Sequence, residues 1–391
     1  MLRILRRFFA NPFNPRGGQG GQRKNPSQRI ASLAMLKDES LFTENSNYNE
    51  LLSKFFDYCK AIWSGKEKLQ ETPSYDLQKT LSNWSKSIPF LNASQVAKLS
   101  KILGILRVKD ENLWTKIEKH VQRKVFKDLS PKDISELAKS SLECNRTSDA
   151  FWNTLENTII TRVYPTKRFE ASELTDLLIS LIELNKGNIE LNKPLNDNLA
   201  DCAGDLTIKD IIRLIFLFNK QGFVEDRVLK NISKRCVELK SELDGTKLQQ
   251  IIIFFIKNFV DPEYITAIEE EILSKINIMT LNNLSMITLH YAKYYSESTH
   301  KSKHKNEIFI AIEKFMAKNK DSLVENHKGT LLPEEALLRV MWSLSTSDNM
   351  GSMRLWKNYA YELDKKPSLM KIDNAFMVRD LKHKLAVLGL Y

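Results

Sequence analysis

The sequence is poor in everything that builds turns. Its 391 residues hold only 13 glycines and 11 prolines, and several of these sit in the first thirty positions. The remainder is rich in Leu, Ile, Lys, Glu and Asn, a composition that favours helices joined by short connections. Four cysteines (Cys59, Cys144, Cys202, Cys236) lie far apart with no C-x-x-C pair. That spacing argues against a zinc ribbon or a disulfide framework and reads as free thiols buried in a reducing compartment. The chain also lacks a long apolar run. Its longest candidate, Ile251–Ile256, stops at Lys257, far short of the roughly 18 residues a membrane span needs, and fits a buried helix. Phosphate-binding glycine loops and the G-x-S-x-G nucleophile elbow are missing too, so nucleotide-dependent and serine-hydrolase chemistry have no motif to rest on.

Acidic residues are scarce in one place only. The net charge is +11, from 59 basic and 48 acidic residues, but residues 1–30 carry seven basic side chains and no acid. Without those seven, 52 basic residues face 48 acidic ones and the body is only +4. A basic footprint for RNA must therefore come from local clustering.

The opening Met1–Asn11 interleaves Arg3, Arg6 and Arg7 with Leu2, Ile4, Leu5, Phe8 and Phe9, and the first acid is Asp38. An acid-free, arginine-rich amphipathic start describes a mitochondrial presequence, and Arg7-Phe8-Phe9-Ala10 resembles a matrix-processing site. The alternative is a retained basic arm that threads into a partner. Residues 12–29 form a basic Gly/Gln/Pro linker without core-forming potential. The tripeptides Gly17-Gly18-Gln19 and Gly20-Gly21-Gln22 spell the peptide-release motif, but in low-complexity sequence rather than on a folded loop.

Self-similarity is the main feature. One template recurs: an apolar residue, three positions, a polar and an apolar residue, two positions, another apolar residue. It appears at Leu91…Gln95-Val96…Leu99 and Leu129…Asp133-Ile134…Leu137, then at Phe169…Glu173-Leu174…Leu177 and Leu206…Asp210-Ile211…Leu214. Leu243…Lys247-Leu248…Ile251 and Met279…Asn283-Leu284…Ile287 follow, so the starts are 38, 40, 37, 37 and 36 residues apart. A seventh copy begins at Leu332 (Ala336-Leu337…Val340), after a polar insertion near 296–306. Each copy reads as two helices. In the fourth, Thr207 with Asp210 predicts a capping box, and Gly222 a left-handed helix end. A second helix starts near Glu225 and buries Val228, Leu229, Ile232, Cys236 and Leu239.

A hairpin of this size cannot cover its own apolar face, whereas stacked neighbours can. The predicted fold is all-α, a right-handed α-solenoid of six to seven hairpins of about 37 residues. The organisation follows: 1–47, presequence or basic extension; 48–90, irregular helical N-terminal cap; 91–345, hairpin repeats; 346–391, C-terminal helical cap.

The period and the opening Leu129-Ser-Pro-Lys-Asp133-Ile134-Ser-Glu-Leu137 resemble the heptatricopeptide and octotricopeptide repeats and those of FAST-kinase-like proteins, over roughly residues 91–345. The resemblance implies organellar RNA binding or a place in the mitochondrial ribosome. It departs at the C-terminus, where the nuclease-like RAP domain of many members has no counterpart, so RNA cleavage is not expected.

No catalytic or metal constellation emerges. His300 and His304 have helical spacing but no accompanying ligands, and read as a solvated basic loop. No enzyme activity, cofactor or small-molecule substrate is expected. For binding, the same position of three consecutive copies holds Lys220, Lys257 and Lys293, a short ladder of positive charge that reverses upstream, where the column holds Glu143 and Glu183. Each lysine equally suits a helix dipole, as a cation in the last turn. Lys301, Lys303 and Lys305 in the insertion, and Arg16, Arg23, Lys24 and Arg29 in the tail, are further phosphate-binding candidates. The expectation is a non-catalytic mitochondrial RNA-binding scaffold, in the matrix or on the matrix face of the inner membrane, most readily a ribosomal component. Its partners would be ribosomal RNA and proteins. The alternative is an accessory subunit of a respiratory-chain or ATP-synthase complex, with peripheral rather than transmembrane contact to the bilayer.

Overall fold

Capping and turn chemistry, repeated at fixed intervals, set the architecture. A computed structural model describes residues 38–61, 75–166, 168–295, 304–318, 333–346, 375–387 and 389. Every regular element among the described residues is helical, so the chain is all-α, and none of these helices is long and apolar enough to cross a membrane. The chain divides into two compact units, residues 1–125 and 126–391.

The first unit contains α1 (Tyr48–Ala61), α2 (Tyr75–Ser87), α3 (Ala93–Leu106) and α4 (Glu111–His120). Helix α1 packs on α3, and α2 packs on α4. The 48–90 stretch thus supplies a helix pair arranged like the repeats that follow it. Trp84 is fully buried and is the centre of its core, with Phe42 edge-on at 5.0 Å and Phe55 stacked at 5.9 Å. Trp63 and Pro73 lie outside the described residues.

The second unit continues with α5 (Pro131–Glu143), α6 (Asp149–Thr158), α7 (Ala171–Glu183), α8 (Ile189–Cys202), α9 (Ile208–Gln221) and α10 (Asp226–Glu238). It ends with α11 (Gly245–Lys257), α12 (Pro262–Lys275), α13 (Leu281–Tyr295), α14 (Lys305–Lys318), α15 (Pro333–Thr346) and α16 (Ala375–Val387). First helices pack on first helices in the order α5, α7, α9, α11, α13, α15. Second helices do the same through α8, α10, α12 and α14. Helix α16 closes on α15, where the Trp342 indole donates to Asp380 at 2.9 Å. In the seventh copy Ala336 and Val340 are buried as expected, but Leu337 is only half-buried.

The template residues explain this order. The opening apolar residue of all six regular copies is buried, and so are both apolar residues that follow the polar one. The polar residue is the third residue of each first helix, where its side chain accepts a hydrogen bond from the N-cap residue in every regular copy but the fifth; there Asp244 accepts the Lys247 N–H at 2.9 Å. Asn92 and Gln95 bond reciprocally at 3.0 Å, as do Ser130 with Asp133 and Thr280 with Asn283. In the fourth copy Asp210 N–H donates to Thr207 Oγ1 at 3.2 Å, and the Thr207 hydroxyl donates to the Asp210 carboxylate at 2.6 Å. Each box satisfies donors that a helix start otherwise leaves exposed, and losing one costs about 1 kcal/mol.

The other end of the first helix is equally regular. Sixteen residues after each of the first five starts the backbone turns left-handed, at Arg107, Asn145, Asn185, Gly222 and Phe259, with φ of 52°, 56°, 52°, 76° and 52°. Around Val260 the paired bonds of a Schellman end are present: Val260 N–H donates to Phe255 O at 3.1 Å and Phe259 N–H to Ile256 O at 3.5 Å. The turn then hands over to the second helix. In the first two copies an indole locks it: Trp114 donates to Val108 O at 2.8 Å, and Trp152 donates to Arg146 O at 3.0 Å. Farther along, the second helix is tied back to the opening residue of its own copy. His120 bonds Leu91 O at 2.8 Å, Asn198 accepts from Phe169 N–H at 3.0 Å, and Arg235 donates to Leu206 O at 3.1 Å.

The drift in period has a structural cause. The two longest of the first five copies, 38 and 40 residues, extend their second helices through π turns at Val121–Val125 and Ile159–Val163. A π turn absorbs an extra residue without breaking the helix. The three copies that follow close instead with short 3-10 turns at Ala203–Asp205, Lys240–Glu242 and Ile276–Ile278. In the fourth copy α10 spans Asp226–Glu238 and buries Val228, Ile232 and Cys236 as predicted, while Leu229 and Leu239 are half-buried.

Candidate nucleic-acid interface

Because the first helices of the second to fifth copies end within a residue of the same place, the residue fourteen positions after each start forms a column. It reads Glu143, Glu183, Lys220, Lys257 and, in the sixth copy, Lys293. Helices α9, α11 and α13 pack consecutively, and packed helices run about 8–10 Å apart, so the three lysines follow one edge of the second unit.

They are not equivalent. Lys220 Nζ lies 3.0 Å from the Glu183 carboxylate of the preceding copy, so this rung is neutralised rather than free, unlike the ladder read from sequence. The same neutralisation occurs one to two turns earlier on the helices. Asp176 sits 2.7 Å from Lys139 and 2.5 Å from Arg213. Burial works to raise its pKa, and the two cations together outweigh burial and hold it below the ordinary carboxylate value. Charges in the second to fourth copies therefore close on one another. Among the described residues Lys257 and Lys293 have no ion-pair partner; Lys257 is half-buried and Lys293 exposed.

Beside these lysines stand aromatic rings that the sequence reading missed. Phe223 is 73% exposed, Phe259 62% and Tyr294 36%. Phe223 lies three residues after Lys220, Phe259 two after Lys257, and Tyr294 directly after Lys293. Tyr294 stacks on His290 at 6.0 Å with an interplanar angle of 7°. The His290 pKa is lowered to about 4, mainly by burial; the hydrogen bond from its Nδ1 side to Met286 O opposes the shift, and Lys257 and Lys293 add to it. The imidazole is therefore neutral at physiological pH and adds a flat face rather than a charge. A signal was present in the sequence: Phe259 occupies a register position that other copies fill with Arg, Asn or Gly.

The remaining basic candidates separate by location. Arg3, Arg6, Arg7, Arg16, Arg23, Lys24, Arg29, Lys301 and Lys303 lie outside the described residues, as does the side chain of Lys305 at the start of α14. His304 is no solvated loop residue. Its side chain is 13% exposed and its Nδ1 lies 2.8 Å from Glu307, while its carbonyl accepts the first helical bond of α14, from Ile308 N–H at 2.9 Å. Packing of α14 on α12 draws this residue in. His300 lies outside the described residues. Among the described residues no group of three or more His, Cys, Asp or Glu side chains is placed to hold a metal ion. What the edge offers is non-covalent: ammonium groups for anions and aromatic faces for planar ligands. No family model matches this sequence, and no curated protein matches it.

Proposed function

We propose that this chain is a non-catalytic helical-repeat scaffold, a right-handed α-solenoid, that binds RNA in mitochondria, as a component of the ribosome. The observation that carries the RNA reading is the pair Lys257 and Lys293: same register, consecutive copies, no ion-pair partner among the described residues. Two unneutralised cations a helix spacing apart suit a phosphate backbone. The solenoid reading is supported by the order of first-on-first and second-on-second helix packing. The mitochondrial reading rests on the acid-free, arginine-rich residues 1–30.

Size fractionation of solubilised mitochondria tests the assembly. Co-migration with ribosomal subunits that RNase abolishes supports the proposal, and co-migration with a respiratory complex sinks it. That second outcome belongs to the competing reading, an accessory subunit of a respiratory or ATP-synthase complex. The near-neutral body and the mutually paired charges of the second to fourth copies favour it.

A further inference from the structure

We infer that the turns following α9 and α11, with the C-terminal end of α13, form a stacking edge for a single-stranded polynucleotide, with Phe223, Phe259 and the Tyr294–His290 pair receiving unpaired bases and Lys257 and Lys293 receiving the phosphates between them. The inference rests on the RNA-binding reading above and specifies what kind of RNA this site takes.

Three observations converge. Through three consecutive copies an exposed aromatic ring and a lysine alternate at the end of the first helix, one of each per copy. Alternation of charge and ring is what a single strand requires, since its backbone and its bases must both be met at every step. The rings point to unpaired nucleotides, because a side-chain ring reaches a base face only when that base is outside a duplex.

The second observation is Phe259 itself. It sits in the left-handed region at φ 52° with its ring mostly in solvent. That backbone is the helix end of each of the first five copies, filled elsewhere by Arg107, Asn145, Asn185 and Gly222, so what is particular to this copy is an aromatic ring placed there and left exposed. The ring is also not recovered by packing, unlike the buried Phe254 and Phe255 of the preceding helix α11.

The third is the neutrality of the stack. His290 stays uncharged beside two lysines, and its ring lies nearly parallel to Tyr294. A π surface two rings deep, flanked by ammonium groups, offers a base an apolar face and its phosphate a counter-charge.

The test uses the full chain, a fluorescein-labelled oligouridine single strand and an RNA duplex of equal length, with anisotropy titrations across a salt series. The triple substitution Phe223→Ala, Phe259→Gly, Tyr294→Ala should weaken single-strand binding about tenfold or more. It should leave both the salt slope and duplex binding unchanged. Lys257→Gln with Lys293→Gln should flatten the salt slope by about 1.4, at roughly 0.7 per phosphate. Phe259→Trp should retain binding, which separates loss of a ring from loss of fold. If the triple variant binds like the wild type while the lysine variant does not, RNA binding stands and the stacking edge falls. Equal losses on single strand and duplex also overturn the stacking edge. Absence of any salt-dependent binding by the wild-type chain removes the underlying RNA reading as well.

Discussion

Replacing Phe259 by glycine should leave the stability of the protein nearly unchanged, although it deletes a whole aromatic side chain. The left-handed conformation at φ 52° costs an L-residue roughly 1–2 kcal/mol, a term glycine does not carry. Against this stands the packing lost. Full burial of a phenylalanine is worth up to about 3 kcal/mol; this ring is 62% exposed, so about 1 kcal/mol is forfeited, and the looser unfolded chain takes back roughly 0.5–1 more. The terms nearly cancel, and the expected change lies within about 1 kcal/mol of zero. The buried neighbour Phe255 sets the contrast, because Phe255→Ala should destabilise by roughly 3–5 kcal/mol. Urea unfolding followed by circular dichroism gives the global figure. Amide exchange in α11 and α12 gives the local one, needed because contacts here run mainly between neighbouring hairpins. A loss above about 2 kcal/mol for Phe259→Gly would show that the ring is structural, and would refute the argument that it is held out for a ligand.

Further outcomes follow from the same geometry. Thr207→Ala removes the acceptor for the Asp210 N–H and should lower stability by about 1 kcal/mol, measured by the urea midpoint; an unchanged midpoint would mean the repeated box is decorative. His290 is neutral when folded, with a pKa of about 4 against roughly 6.5 unfolded. The unfolded chain therefore takes up the proton first, so stability is untouched above pH ~6.5 and declines as pH falls from there towards 4, by up to roughly 3 kcal/mol. His290→Gln should abolish this part of the loss, and parallel decline of the two proteins would exclude it. Burial pushes the Cys59 and Cys236 thiols far up and Cys202 to about 11. Cys59 and Cys236 should resist alkylation at pH 8 until denaturant is added, a point mass spectrometry settles. Lys220→Gln should weaken RNA binding much less than Lys257→Gln, since Lys220 already faces Glu183 at 3.0 Å; equal effects would count against the pairing.

Much of the local architecture was legible in the order of residues. The apolar template located every first helix of the six regular copies, because burial of one face imposes a 3.6-residue period wherever it occurs. Thr207, Asp210 and Gly222 could be read as helix start and stop because caps and left-handed turns are satisfied within a few residues of chain. The all-helical class followed from the same signals. The candidate site was only half visible. Lys257 and Lys293 were identified from register, but their partners in the site, Phe223, Phe259 and Tyr294, look in sequence like ordinary core residues. Only the register of Phe259, a position that other copies fill with Arg, Asn or Gly, carries a signal; nothing local distinguishes the Phe223 and Tyr294 rings from ones that fold inward.

What the sequence determined by itself, then, is the repeating unit: its helices, its caps, its turn and its apolar faces, all fixed by interactions that span few residues. Tertiary structure decided how charge is spent between units. Lys220 and Glu183, or Lys139 and Asp176, stand 37 residues apart in the chain and meet only because neighbouring first helices pack. That packing neutralises the early copies, leaves Lys257 and Lys293 without a partner among the described residues, and pulls His304 against α12. Such pairings depend on which hairpin lies beside which, and at what turn of the helix, so they emerge only in the folded chain.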